Sequence, residues 1–138
     1  MVPVQGGTRR MAQRAATIGI SLAGLPFIVP HVVEDFAEGI AERVGLSTSA
    51  GAFLLGGYLA LQVWGLVLVG QGRRAGWIIT FYVSLVWTLG AVADHGAAIW
   101  AGGFRSGAVS VLWVVGLVLT QSTAAALAWR GWRGESTR

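Results

Sequence analysis

The chain has 138 residues, 54% hydrophobic and 12% charged, with seven Trp, no Cys and a mean hydropathy of +0.65. That balance is far from that of a soluble protein, and the missing cysteine excludes disulfides, thiolate catalysis and thiolate metal sites. The formal charge is +4 and every basic residue is Arg, but eight of the ten fall in three short clusters (Arg9, Arg10, Arg14; Arg73, Arg74; Arg130, Arg133, Arg138), which leaves no basic stripe for nucleic acid.

Five of the six acids (Glu34, Asp35, Glu38, Glu42 and Asp94) fall in the regions between those clusters. This alternation is the positive-inside pattern of a polytopic membrane protein. The expected fold is therefore all-α: an integral membrane four-helix antiparallel bundle, one domain over 1–138, in the cell membrane with both termini cytoplasmic. Its partners are the lipid bilayer and a lipophilic small molecule, not nucleic acid.

Residues 1–10 carry Gly6 and Gly7 without periodicity and read as a short tail. Thr8-Arg9-Arg10-Met11 resembles a twin-arginine export signal, but no small-x-small cleavage site follows. Span one covers about 11–33, close to the roughly 20 residues that a hydrocarbon core requires. Pro26 and Pro30 sit near its outer end. Proline bends a helix from within and starts one harmlessly, so the span either bends and continues or stops near Val29.

An amphipathic helix is expected over about 31–44, directly after the first span. His31, Glu34, Asp35, Glu38 and Glu42 fall at i, i+3, i+4, i+7 and i+11 and share one face. Gly45 ends it, and Ser47-Thr48-Ser49 caps the next helix. Span two covers about 50–70, with Gln62 its only strongly polar side chain and Ala52, Gly56 and Ala60 forming a ridge that suits a homo-oligomer.

Gln71-Gly72-Arg73-Arg74 makes a tight turn, and Trp77 is expected as an interfacial anchor at the start of span three, about 77–99. Thr80, Ser84, Thr88 and His95 share one face of that helix, with Trp87 and Ala91 completing it. Asp94 and His95 lie about 25 Å beyond Trp77, at the far edge of the core. Trp100 and Arg105 belong to the outer loop. Span four covers about 108–129, with Gln121 at the depth expected for Gln62, so that a hydrogen bond between the two amides would tie the helices together.

This topology gathers His31, Glu34, Asp35, Asp94, His95 and Arg105 in one outer layer. Ionisable groups at a membrane edge suggest function, although plain interfacial polarity and ion pairing also explain them. The first chemistry is acid–base catalysis, an isomerisation or cyclisation, on a lipophilic substrate. Glu34 or Asp35 is the acid with His31 its partner, Asp94 and His95 the opposing base pair, and Arg105 orients them. Phe36, Trp87 and Trp100 would wall the substrate, their faces suited to a carbocation.

No cofactor is required for that reading. The alternative is a divalent metal held by His31, Glu34, Asp94 and His95, or haem between the two histidines. Adjacent Asp94 and His95 point about 100° apart, so both reaching one ion requires local unwinding. Proton- or cation-linked transport and a non-catalytic subunit of a larger membrane complex complete the alternatives.

His31-Val32-Val33-Glu34-Asp35-Phe36 resembles the His-and-acid stretch of the sterol isomerase-like membrane family. Pro30 followed by Val33-Glu34-Asp35-Phe36 is similar to the proline-plus-acid segments of small membrane carotenoid cyclases. The resemblance to the sterol isomerase-like family implies that these groups transfer protons.

Overall fold

The computed structural model describes residues 5–101 and 107–136, and for residues 5, 98, 99, 135 and 136 the backbone alone. Six helices appear: α1 (Gln5–Ala23), α2 (Leu25–Ala37), α3 (Ile40–Arg43), α4 (Thr48–Gly70), α5 (Arg74–Trp100) and α6 (Ala108–Ser136). Four segments, 6–37, 48–70, 74–97 and 108–134, are helical, long and apolar enough to cross a membrane. Their outer faces are apolar too, with Phe53, Leu61 and Trp64 of α4 and Leu112 and Leu119 of α6 all exposed. Helices apolar on every side belong in lipid, and the protein is a multi-pass membrane protein.

The first span is α1 and α2 together. Its break falls at Gly24, five residues before the expected stop near Val29. Pro26 occupies the first turn of α2, where its missing N–H leaves no bond unmade. Pro30 lies inside α2, which runs on to Ala37. The short helix expected over 31–44 is consequently divided. Residues 31–37 extend the span, Gly39 turns the chain with φ 76°, and α3 follows as a single turn. Only a residue without Cβ takes that backbone conformation at little cost.

Gly45 closes α3 with φ 78°, and Leu46 N–H reaches back to the Ala41 carbonyl at 2.8 Å. Ser47 then caps α4, its Oγ accepting from Ala50 N–H at 3.2 Å. The Thr48 hydroxyl donates to Glu42 and holds that carboxyl below the ordinary carboxylate range.

The helices run antiparallel, as their contacts record. Against α4, Gly65 faces Thr80 and Tyr58 reaches Val83; against α6, Trp77 faces Gly131 and Ala91 packs on Leu117. The first span runs beside α6 from Gln13 against Leu127 through Phe27 against Gly116 to Glu34 against Ser110.

Lipid offers no hydrophobic drive between helices, so close packing must supply much of the cohesion. One cluster gathers Ile28, Ala91, Val114 and Leu117. The other gathers Val69, Trp77 and Ala128. Trp77 is 3% exposed and so is not an interfacial anchor: its ring lies on Gly131, where a Cβ would fall against the indole. Phe27 occupies the space over Gly116 in the same way.

Gly116→Ala should lower the stability of the detergent-solubilised bundle by about 1–3 kcal/mol, because the new methyl overpacks the Phe27 contact. Gly19→Ala meets nothing within 4 Å and should be neutral or gain up to about 1 kcal/mol of helix propensity. Thermal unfolding of both variants followed by circular dichroism checks the contrast.

Candidate functional site

At the end of the bundle remote from Trp77, α2 and α5 bring three side chains together. His31 and Asp35 stand one turn apart on α2, and His95 faces them from α5. The His31 Nε2 lies 3.3 Å from one Asp35 oxygen and the His95 Nε2 lies 3.5 Å from the other. The two imidazole rings meet edge to face with centroids 4.8 Å apart. They are thus in mutual contact, and not on the two sides of a planar macrocycle as a bis-histidine haem would require.

An ionised carboxylate only accepts hydrogen bonds. Both Nε2 atoms stand at ion-pair distance from the Asp35 carboxylate. A neutral imidazole keeps one ring nitrogen as a proton acceptor. His31 is 5% exposed, so this chemistry is screened from bulk water on the α2 side. His95 also lies 3.3 Å from Asp94, which is the most open member of the group, its side chain 36% exposed. Although their Cβ directions diverge on the helix, the neighbouring Asp94 and His95 side chains bend together at their tips.

The other expected residues separate. Glu34 turns toward α6 and accepts from the Ser110 hydroxyl with both oxygens, at 3.1 and 2.9 Å. One position along a helix is a rotation of about 100°, which is enough to give Glu34 and Asp35 different neighbours. Among the described residues the group with ligand spacing is His31, Asp35 and His95, its donor atoms all within 4.8 Å. Asp35 thus takes the place expected for Glu34 and Asp94 in a metal shell. Phe36 packs toward Gly51 and Ala41, away from the cluster. Trp100 is 94% exposed and walls nothing. Arg105 lies outside the described residues.

Beside the cluster an open groove of about 820 Å³ runs between α2, α4 and α5. His31, Asp35 and Asp94 line one part, Leu54 and Val86 the lipid-facing part, and Tyr58 and Trp87 the wall between. Trp87 is fixed from two sides. Its indole N–H donates to Gln62 Oε1 at 2.9 Å, and its ring meets Tyr58 edge to face at 5.3 Å. The Tyr58 hydroxyl in turn donates to the Val83 carbonyl at 2.7 Å.

Gln62 and Gln121 do sit at one depth, but they meet through Ser21: Gln62 donates to its Oγ at 3.2 Å and Gln121 to its carbonyl at 3.5 Å. Neither Tyr58 nor Ser110 is among the residues that the sequence pattern singles out. The signal for Tyr58 was its presence in an otherwise apolar span, one turn before Gln62. Ser110 gave no signal beyond its place in the first turn of span four.

Comparison with family models, curated proteins and solved structures finds no match for this chain.

Because the chain has only two histidines, their ring nitrogens can be followed individually by ¹⁵N NMR. Asp35→Asn should shift the ring resonances of both His31 and His95, since one carboxylate serves both. Glu34→Gln, whose partner is Ser110, should leave the His95 ring nearly unchanged. A response of only one ring to Asp35→Asn would contradict the shared geometry.

Proposed function

We propose that this protein is a small membrane enzyme that moves a proton on a lipophilic molecule admitted sideways from the bilayer. The observation that carries this reading is the single carboxylate of Asp35 shared by two imidazoles at the head of a groove with apolar walls. In an apolar site the favoured states keep the net charge of Asp35 and the two rings near zero, with one proton shared among the carboxylate and the imidazoles. The cluster therefore stores one proton that it can give up and take back.

An isomerisation, or a cyclisation that ends in proton loss, uses such a store without net consumption. The cluster protonates one carbon of a double bond, and a proton leaves a neighbouring carbon of the resulting cation to the base. The cluster then returns to its starting charge. His31 and His95 carry the proton, Asp35 holds both rings in place, and Asp94 links the group to solvent. The faces of Trp87 and Tyr58 stabilise positive charge in the groove. By the positive-inside bias, the arginine clusters and both termini face the cytoplasm, and the His cluster lies toward the opposite face of the cell membrane.

A second reading rests on the spacing of the same atoms. Metal–ligand bonds of about 2.0–2.2 Å separate adjacent ligand atoms by roughly 3–3.5 Å. The two Asp35 oxygens lie 3.3 and 3.5 Å from the two Nε2 atoms, and one ligand atom from each of the three residues lies within 4.8 Å of the others, so the group would have to draw together around an ion. Two imidazoles and a carboxylate suit Zn²⁺, Fe²⁺ or Mn²⁺, and a bound ion would act as a Lewis acid on an oxygen of the ligand.

Both readings are tested on membranes carrying the protein, incubated in D₂O. Lipid extraction and mass spectrometry should find a co-purifying unsaturated molecule that gains deuterium. Asp35→Asn and His31→Gln should lower that exchange about 10²–10⁴-fold with the helical content unchanged. Full exchange in Asp35→Asn would reject the acid–base reading. One equivalent of metal by elemental analysis, lost in Asp35→Ala, would favour the second.

A further inference from the structure

The opposite end of the bundle holds a second concave site, unconnected with the His cluster. A pocket of about 690 Å³ lies between α1 and α6, lined by Arg9, Arg10 and Arg14 of α1 and Arg130 of α6. Its shape follows from the pairing of these helices. Gln13 donates to the Leu127 carbonyl at 3.3 Å and ties α1 to α6. Trp77, drawn into the bundle by Gly131, forms part of the lining.

Four guanidiniums around one cavity repel one another, and an isolated protein would gain by spreading them apart or pairing them with acids. Among the described residues, none of the four has a carboxylate partner; the ion pairs that occur involve His31 and His95. The Nε of Arg14 is buried with no hydrogen-bond partner, while its outer nitrogens lie over Gly72 in the turn between α4 and α5. This is a buried cationic donor at the edge of an otherwise cationic cavity. The remaining lining includes Ala12, Ala16 and Leu127, and the exposed surface of α1 beside it is apolar at Met11 and Ala15.

Guanidiniums bind phosphate oxygens in pairs, and basic pockets between spanning helices select phosphate-bearing head groups. We propose that this pocket binds the phosphate of an anionic phospholipid, with the head group among the four arginines and the acyl chains lying along α1. The chemistry recognised is a phosphate ester. The bilayer is its source because the polar cavity continues directly into a lipid-facing surface. Occupation neutralises the repulsion and braces the α1–α6 contact at this end.

Native mass spectrometry of the full chain in a neutral detergent tests the proposal, with phosphatidylglycerol, phosphatidylcholine and inorganic phosphate added separately. One phosphatidylglycerol should bind and persist where phosphatidylcholine does not. The double variant Arg14→Gln/Arg130→Gln should bind it roughly thirty-fold more weakly, from about one unit of surface attraction per lost arginine. Arg73→Gln/Arg74→Gln removes the same charge outside the pocket and should change binding only a few-fold. Equal losses in the two double variants would overturn the proposal in favour of diffuse attraction. Displacement of the lipid by millimolar phosphate would overturn it in favour of a free-anion site. Should Arg14→Gln/Arg130→Gln unfold, Arg130→Lys supplies the same comparison, since it keeps the charge and loses the paired geometry.

Discussion

The close approach of the first span to α6, made where Phe27 lies on Gly116, determines the direction in which the polar end of α2 faces. A side chain at residue 116 would push α2 outward. Because residue 116 is glycine, Ile28 reaches the core against Val114 and Leu117, and His31 follows one turn later at the α2–α5 seam. Seating a ring over a bare backbone is a van der Waals arrangement, and in lipid it carries weight that burial carries in water. The contact thus links packing to chemistry: the register that seats Phe27 is the register that puts Asp35 between two imidazoles.

The middle of the bundle obeys a different constraint. Water is absent from a bilayer core, and each buried polar group must find its partner within the protein. Ser21 answers this for three helices at once, receiving Gln62 on its hydroxyl and Gln121 on its carbonyl. The free carbonyl end of Gln62 then takes the Trp87 indole and so orients the wall of the groove. A polar knot at mid-depth therefore sets the angle of an aromatic ring one layer above it. Without Gln62 the ring would keep its apolar packing and its Tyr58 contact but lose the hydrogen bond that fixes its indole edge.

The spans were legible in the sequence because uncharged runs of the right length have few other uses, and the Gly45-to-Ser47 junction was legible because its punctuation is local. Properties that depend on a distant partner were not. Trp77 beside arginines has the pattern of an interfacial anchor; its burial depends on the glycine at 131, which periodicity around Trp77 cannot register. The two glutamines were placed at the right depth, but the third party at Ser21 was invisible, since a lone serine in a span carries no directional signal. The pattern of Pro26 and Pro30 allows either a bent, continuous span or a stop near Val29, and the break comes at Gly24. That residue lies against Gln121 and Thr120 of α6, so crowding by a neighbouring helix acts there together with Pro26.

The candidate site shows the same limit on a smaller scale. Spacing alone puts His31, Glu34 and Asp35 on one face, and a face seen from sequence is a single arc. In the bundle that arc is divided between two neighbours. Glu34, three positions on from His31, meets α6 and the Ser110 hydroxyl; Asp35, four positions on, meets α5 and His95. Two carboxyls adjacent in the chain consequently have distinct surroundings, one held by a neutral donor and the other by two rings able to exchange a proton. The short run His-x-x-Glu-Asp therefore acts as a wedge with one acid for each flanking helix, and only the acid that meets the second histidine belongs to the cluster.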